Sequence, residues 1–370
     1  VAALDIDSAG AMVRPRIVVD SGTRCLLTAV EFTGSERSAD RFLRRTTGLE
    51  IGSIYSRIAL VEGRERLLRT GLFLSVSEAE LVLEDTTGVL ARFVLVERPA
   101  SSFDGLIGYA PARPDGSDGF FTGLVSLRLK NLFGSGEEIA GEWSKPDAQR
   151  SLLSIAWRQP WLFGSPVGID LAIDQRSEDE TPLTTAYVSS AAEVGGFLEE
   201  GPWEVSAGFR IAGQAPTLDT LLGACSERVL PSATTISGLF GLAYDRRDNP
   251  VNPAEGSSLA VEYVIASRAR SSIGCELPPF EIGSFARNAV ALDIATFRRL
   301  IGPLVGAVRV RGAAMFGESV DAGELYRFGG AGSVRGFREG ARRVSAFSSI
   351  SFEPRLLLGP DSHVAPFVDA

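Results

Sequence analysis

The residues with the most to offer chemically cluster in RFGGAGSVRGFREGARR, residues 327–343. Arg327, Arg335, Arg338, Arg342 and Arg343 place five guanidinium groups in this short stretch of a chain whose formal net charge is -9. A guanidinium stays charged at any working pH and offers a planar fork that matches a carboxylate. The chemistry available is charge-assisted hydrogen bonding to acidic partners, not the making or breaking of bonds. Gly329, Gly330, Gly332, Gly336 and Gly340 let the backbone turn where other residues resist. A solvated surface loop, with arginines for solubility, is the plain alternative for such a composition. The surrounding elements decide between the two.

Other chemistries find no residues to carry them. There is no G-x-S-x-G elbow, P-loop or dinucleotide-binding glycine pattern, and GGAGSVRG (329–336) has the wrong spacing for one. The single histidine, His363, has no evident triad partners. Cys25, Cys225 and Cys275 form no C-x-x-C pair, and with one histidine they make no zinc-like cluster. The acidic run SEDE (177–180) reads as a solvated loop rather than a carboxylate pair or a calcium site. No enzymatic activity, metal or cofactor is expected. The acidic net charge also excludes a general nucleic-acid footprint, which needs a basic face.

The elements that must position the arginine loop fall into two regions. Residues 1–98 read as mixed α/β. VRPRIVVDSG (13–22) and CLLTAVEFTG (25–34) are strand-like, Ser38 is a candidate cap for a short helix ADRFLRRT, and a second helix starts near Ser56 and stops at Gly71. LFLSVSEAELVL (72–83) and VLARFVLVE (89–97) follow as strands joined by EDTTG. The N-terminus, VAALDIDSAG, lacks the basic and apolar regions of a signal peptide.

From Phe103 onward the helical period disappears. Strand-like segments of about ten residues recur, separated by Gly, Pro, Asn and Asp. In FTGLVSLRLK (121–130) Phe121, Val125, Leu127 and Leu129 oppose Thr122, Ser126, Arg128 and Lys130. In PLVGAVRVRGA (303–313) Leu304, Val308 and Val310 oppose Arg309 and Arg311. In VSAFSSISFEPRL (344–356) Ile350 and Phe352 oppose Ser349, Ser351, Glu353 and Arg355. Ile236, Phe240, Leu242 and Tyr244 share one side of ISGLFGLAYDRR. A soluble sandwich hides its apolar face inside; a membrane barrel turns it outward and keeps a polar lumen. Opposite-sign charges such as Glu353 and Arg355 on the polar face suit a wet interior. Trp143, Trp157, Trp161, Trp203, Phe133 and Phe163 near strand ends suit interfacial girdles. Hydrophobic residues make up 45% of the chain, with no run of 18 or more apolar residues, so apolar character is spread by alternation and not gathered in a transmembrane helix. A closed barrel also satisfies every backbone group without water. The pattern favours the membrane barrel.

With both regions placed, the chain resembles the bacterial surface-antigen superfamily of outer-membrane assembly and translocation proteins, the BamA/TamA type. GSIYS and LLRTGLFLSV, within 52–76, are similar to the helix–G-x-F–strand passage of a POTRA domain. DRRDNPVNPAEG (245–256) resembles the family's periplasmic turn, and GGAGSVRGF (329–337) its V-R-G-F/Y loop motif. SFEPR (351–355) and PFVDA (366–370) resemble the two strands that follow. The resemblance implies the tail of a preceding POTRA domain at 1–22, a POTRA domain at 23–99, and at 100–370 a mainly β fold, a transmembrane antiparallel β-barrel. Family barrels have about sixteen strands and about thirteen can be placed here, so the C-terminal strands are expected to lie beyond Ala370.

The resemblance also implies roles. Val334, Arg335, Gly336 and Phe337 would form a loop-lock motif folded into the lumen, with Glu353 and Asp369 as the lumen partners of Arg335. Phe103, Gly105, Leu106, Gly108 and Tyr109 would form the first barrel strand, a weak seam that templates client strands, although the two glycines also suit the relief of crowding at a barrel corner. The POTRA edge strand (72–83) would collect clients in the periplasm. Expected partners are unfolded outer-membrane proteins or secreted polypeptides, the lipid bilayer, and periplasmic chaperones or accessory lipoproteins. The alternatives to an assembly factor are an export pore of the two-partner-secretion type and a barrel that anchors an N-terminal enzyme such as a patatin-like lipase. Cys225 and Cys275 fall in loops on the same, extracellular side, where a disulfide and two unrelated thiols are equally open; Cys25 is expected to be buried packing.

Overall fold

The computed structural model describes residues 2–7, 12–17, 24–84, 87–99, 101–112, 118–178, 187–216, 231–271, 281–317, 320, 324–330, 333–338, 340–359 and 362–370. The chain divides into two compact units, Val1–Pro99 and Ala100–Ala370.

The first unit opens with an antiparallel pair, β1 (Ala2–Asp7) and β2 (Met12–Ile17). Then come β3 (Leu26–Thr33), α1 (Asp40–Thr47), α2 (Arg57–Arg69), β4 (Phe73–Val76), β5 (Glu80–Leu83) and β6 (Gly88–Glu97). β6 is central: β3 pairs with it in parallel, and β4 and β5 pair with it antiparallel. Alternate residues of β6 bury themselves with the helices, so Val30, Leu43, Leu67, Phe93 and Leu95 make the core. Gly63 sits where α2 crosses the end of α1; a Cβ there would stand 3.1 Å from the Thr47 carbonyl oxygen.

Three expectations change here. The stretch 72–83 is not one strand: it breaks at Ser77, whose hydroxyl accepts from the Val94 amide, and β4 and β5 line successive parts of β6. Ser38 does not cap α1; the residue at that position is Ala39, and the Ser38 side chain instead bonds the Glu97 carboxylate. Cys25 is half-buried rather than buried. Ser56 does cap α2, accepting from the Ala59 amide at 3.3 Å.

The second unit is a single antiparallel sheet plus a small hairpin. Its strands are β7 (Ser102–Ala110), β8 (Phe120–Lys130), β9 (Glu138–Lys145), β10 (Arg150–Gln159), β11 (Val167–Glu178), β12 (Tyr187–Glu200), β13 (Trp203–Pro216), β14 (Ser232–Asp245), β15 (Gly256–Ser271), β16 (Gly283–Ile301), β17 (Leu304–Gly317), β18 (Tyr326–Phe328), β19 (Arg342–Val344), β20 (Ala346–Gly359), β21 (Ser362–Val364) and β22 (Val368–Asp369). From β7 to β17 each strand pairs with the next, β17 pairs with β20, and β20 with β21 and β22. Among the described residues β18 and β19 pair only with each other, inside the connection 318–345. One end of the sheet carries the longest connections, 217–231, 272–282 and 318–345; the other carries tight turns such as 201–202 and 302–303. Several strands outrun the ten residues expected from the pattern, up to 19 in β16. Their added length at the long-loop end carries Arg268, Arg270 and Arg287, which the arginine loop engages.

The alternation has a definite sense. Val205, Phe209 and Ile211 of β13, Ile236 and Phe240 of β14, and Ile350 and Phe352 of β20 are exposed. The opposite face pairs its charges: Arg210 with Asp174 and Glu193, Arg158 with Asp170 and Glu204, and Arg309 and Arg311 with Asp293. Apolar side chains outward and ion pairs inward is the arrangement of a membrane barrel and the reverse of a soluble sandwich. Phe133, Phe163, Trp203 and Tyr244 cluster toward the short-turn end, where the last two pack with ring centroids 4.7 Å apart. The sheet ends in edges: among the described residues β7 pairs only with β8, and β21 and β22 only with β20.

Candidate functional site

The arginine loop leaves β17 and returns in β20, and its tip turns onto the inner face of the sheet. Gly330 donates to the Val334 carbonyl at 3.1 Å and Gly329 to the Ser333 hydroxyl at 2.7 Å, which closes a tight turn that buries Val334. Gly336 follows with φ 95°, a left-handed conformation open to glycine and strained for most other residues. Phe337 stays exposed.

This turn delivers Arg335 to the three polar positions that β20 and β22 place side by side. Ser351 lies directly opposite Asp369 in the ladder, and Glu353 is two residues along the same face. Arg335 Nε donates to Asp369 Oδ2 at 2.8 Å and Nη2 to Oδ1 at 2.6 Å, a bidentate fork. Nη1 donates to Glu353 Oε1 at 2.6 Å and Nη2 to the Ser351 hydroxyl at 2.7 Å. The Arg335 amide adds a bond to Asp369 Oδ2 at 2.9 Å, and the Phe367 ring lies 3.7 Å from the guanidinium carbon. Arg355 holds the other oxygen of Glu353, at 2.6 and 2.8 Å. The hydrogen bonds to Asp369 raise the Arg335 pKa above its ordinary value; burial works against them, and Glu353 adds to them. A cleft of about 230 Å³ beside the cluster is lined by Arg309, Arg311, Glu353 and Arg355, among others. Its polar walls suit water.

Sequence reasoning named Arg335, Glu353 and Asp369, and the structure brings all three together. It missed Ser351, Phe367 and Arg355 as parts of the same cluster. Phe103, Gly105, Leu106, Gly108 and Tyr109 lie in β7, at the edge of the sheet. Cys225 and Cys275 lie outside the described residues. His363 is in β21, where Nδ1 lies 2.9 Å from Asn252 Oδ1; Asn252 itself donates to the Gly359 and Ser362 carbonyls, which ties the 246–255 turn to the end of β20. Of the acidic run at 177–180, Asp179 and Glu180 lie outside the described residues; Glu178, expected in a solvated loop, instead ends β11, is buried, and receives Arg327 and Arg343. Glu324 was not foreseen either; it is buried among Arg268, Arg270 and Arg287. Partners so remote in sequence leave no local signal, and the surplus of arginines at one sheet end was the only available hint.

One loop thus touches β15 and β16 through Glu324, β11 through Glu178, and β20 and β22 through Arg335. Only a sheet that curls around the loop allows this. A curled antiparallel sheet with an apolar outer face, a charged inner face and an inward-folded arginine loop defines an outer-membrane β-barrel protein. The sequence profile of the Omp85 superfamily domain matches residues 131–352, and the chain belongs to that superfamily. The matched region includes Arg335 and Ser351; Glu353 and Asp369 follow it.

The fold is similar to that of BamA from Haemophilus ducreyi lacking POTRA domains 1-3, at 18% identity and a TM-score of 0.51 over 96% of this chain and 72% of that one. It is also similar to CdiB from Acinetobacter baumannii, at 13% identity and a TM-score of 0.53 over 90% of this chain and 61% of that one. The chain thus spans less than two thirds of the CdiB structure. At these identities the likeness concerns the fold.

Proposed function

We propose that this protein is an outer-membrane assembly factor that inserts client proteins by offering the β7 edge as a template. The observation that carries this reading is the make-up of β7, the first strand of the sheet, which sets Gly105 and Gly108 among Phe103, Leu106, Ile107 and Tyr109. Gly105 and Gly108 fall on opposite faces of β7 and remove one side chain from each, which weakens the cross-strand contacts this strand can offer. An unpaired strand in lipid leaves backbone groups unsatisfied at several kcal/mol each. A membrane-embedded edge removes that cost by strand addition, and no bond chemistry is required.

The first unit fits a periplasmic POTRA domain in this reading. Its β4 and β5 lie along one side of β6 and offer an edge to extended client segments. The Arg335 cluster holds the loop inward while the seam exchanges partners. Clients would be unfolded outer-membrane proteins, delivered by periplasmic chaperones or accessory lipoproteins. Photocrosslinking amino acids placed singly at 103–109, and at the lumen positions 309 and 311, provide the test. Covalent adducts with a folding outer-membrane protein are expected at several of the positions 103–109. Correctly folded variants that capture no client would end the proposal, and capture confined to lumen positions such as Arg309 and Arg311 would move the reading to an export pore.

A further inference from the structure

We infer that Glu178 is the far anchor of the arginine loop, a positioning residue that holds the β18–β19 hairpin as a strap at the long-loop end of the sheet. The near end of the strap rests on its own root: the Tyr326 and Phe328 rings pack on Phe347 of β20, with centroids 5.8 and 5.2 Å away. The far end lies on another wall. Arg327 of β18 and Arg343 of β19 both donate to Glu178 Oε2, the latter at 3.2 Å. Along the sheet, β17, β16, β15, β14, β13 and β12 separate β20 from β11. The hairpin therefore joins two walls that are six strands apart.

The charges explain why Glu178 holds this position. Arg327 and Arg343 stand directly opposite each other in the β18–β19 ladder. Like charges at facing positions oppose pairing, and a hairpin of three residue pairs is marginal by itself. The Glu178 side chain is only 5% exposed, with Tyr187 of β12 as its cross-strand neighbour. A carboxylate so enclosed is tolerated when cations answer it. Wall and hairpin thus stabilise each other through one shared oxygen. The Arg335 cluster uses different strands, so the two anchors are separable. Loss of Glu178 removes the carboxylate that Arg327 and Arg343 share and weakens the far hold on the strap, while the tip stays held at β20 and β22.

The inference goes beyond the assembly reading, because ion flow through the lumen needs no client. The test is the open-state occupancy of the full chain in planar lipid bilayers, with folding of each variant checked by heat-modifiable gel mobility. Glu178→Gln is expected to raise the occupancy about tenfold, and Arg343→Gln, which leaves the wall untouched, to raise it in the same direction. The double variant is expected to open no further than Glu178→Gln alone, because both changes release one contact. A folded Glu178→Gln that remains as closed as the parent overturns the inference, and so do additive effects, which would indicate separate structural roles. Should Glu178→Gln fail to fold, Arg343→Gln decides: raised occupancy supports the strap and unchanged occupancy overturns it.

Discussion

Arg335 uses its whole fork. Two nitrogens, Nε and Nη2, go to Asp369, Nη1 goes to Glu353, and Nη2 also donates to Ser351. Removing one member of such a shielded charge group costs on the order of 3–5 kcal/mol, and less where water reaches it. The Asp369 side chain is 3% exposed and that of Arg335 27%, so the cost falls mainly on the carboxylate left behind. Arg335→Ala is expected to leave a folded barrel whose loop is cut faster by external protease and whose assembly activity is lost in a complementation assay. Arg335→Lys is expected to fall between the two, since an ammonium is a point charge without the planar fork. Unchanged protease sensitivity and full activity in Arg335→Ala would contradict a locking role.

At the scale of elements, β6 carries a device outside the barrel. Glu97 at its end accepts from the Ser35 hydroxyl at 2.8 Å, the Ser38 amide at 3.0 Å and the Arg37 amide at 3.2 Å, fixing the chain just before α1. Burial pushes the Glu97 carboxyl up, but the bonds from Ser35, Ser38 and Arg37 outweigh it and hold the carboxyl below its ordinary value. A depressed folded pKa stabilises above the unfolded value of about 4.3, and that contribution is lost as pH falls through the folded value. Thermal unfolding of the first unit is therefore expected to be level above about pH 5 and to weaken on further acidification. Glu97→Gln should lower stability at neutral pH and flatten the acid slope; an unaltered acid profile would contradict this. The elements also show what the sequence could reveal. Period-two alternation in β20 separates Ile350 and Phe352 from Ser349, Ser351, Glu353 and Arg355, because each side chain's environment is set by its own strand. The break in 72–83 was hidden, since both halves look alike until β6 divides them. β18 and β19 are three residues each, too short for a period to register. Glu178 looked solvated because its partner Arg327 is 149 residues away.

The whole molecule places its charges and its apolar surface where a soluble protein would not. Inner-face arginines meet aspartates and glutamates across neighbouring strands, while Val205, Phe209, Ile211, Ile236 and Phe240 face outward. In water such a surface would drive association; in lipid it matches the solvent. The same curl lets three carboxylate–arginine clusters fix one loop from three walls. All of this depends on which face of the sheet meets lipid. Nitroxide labels attached one at a time at 349–353 of β20, with Cys25, Cys225 and Cys275 replaced by serine, read that directly in reconstituted bilayers. Positions 350 and 352 are expected to relax with lipid-soluble oxygen, and 349, 351 and 353 with a water-soluble nickel chelate. Uniform accessibility along the strand, or the opposite alternation, would contradict the account.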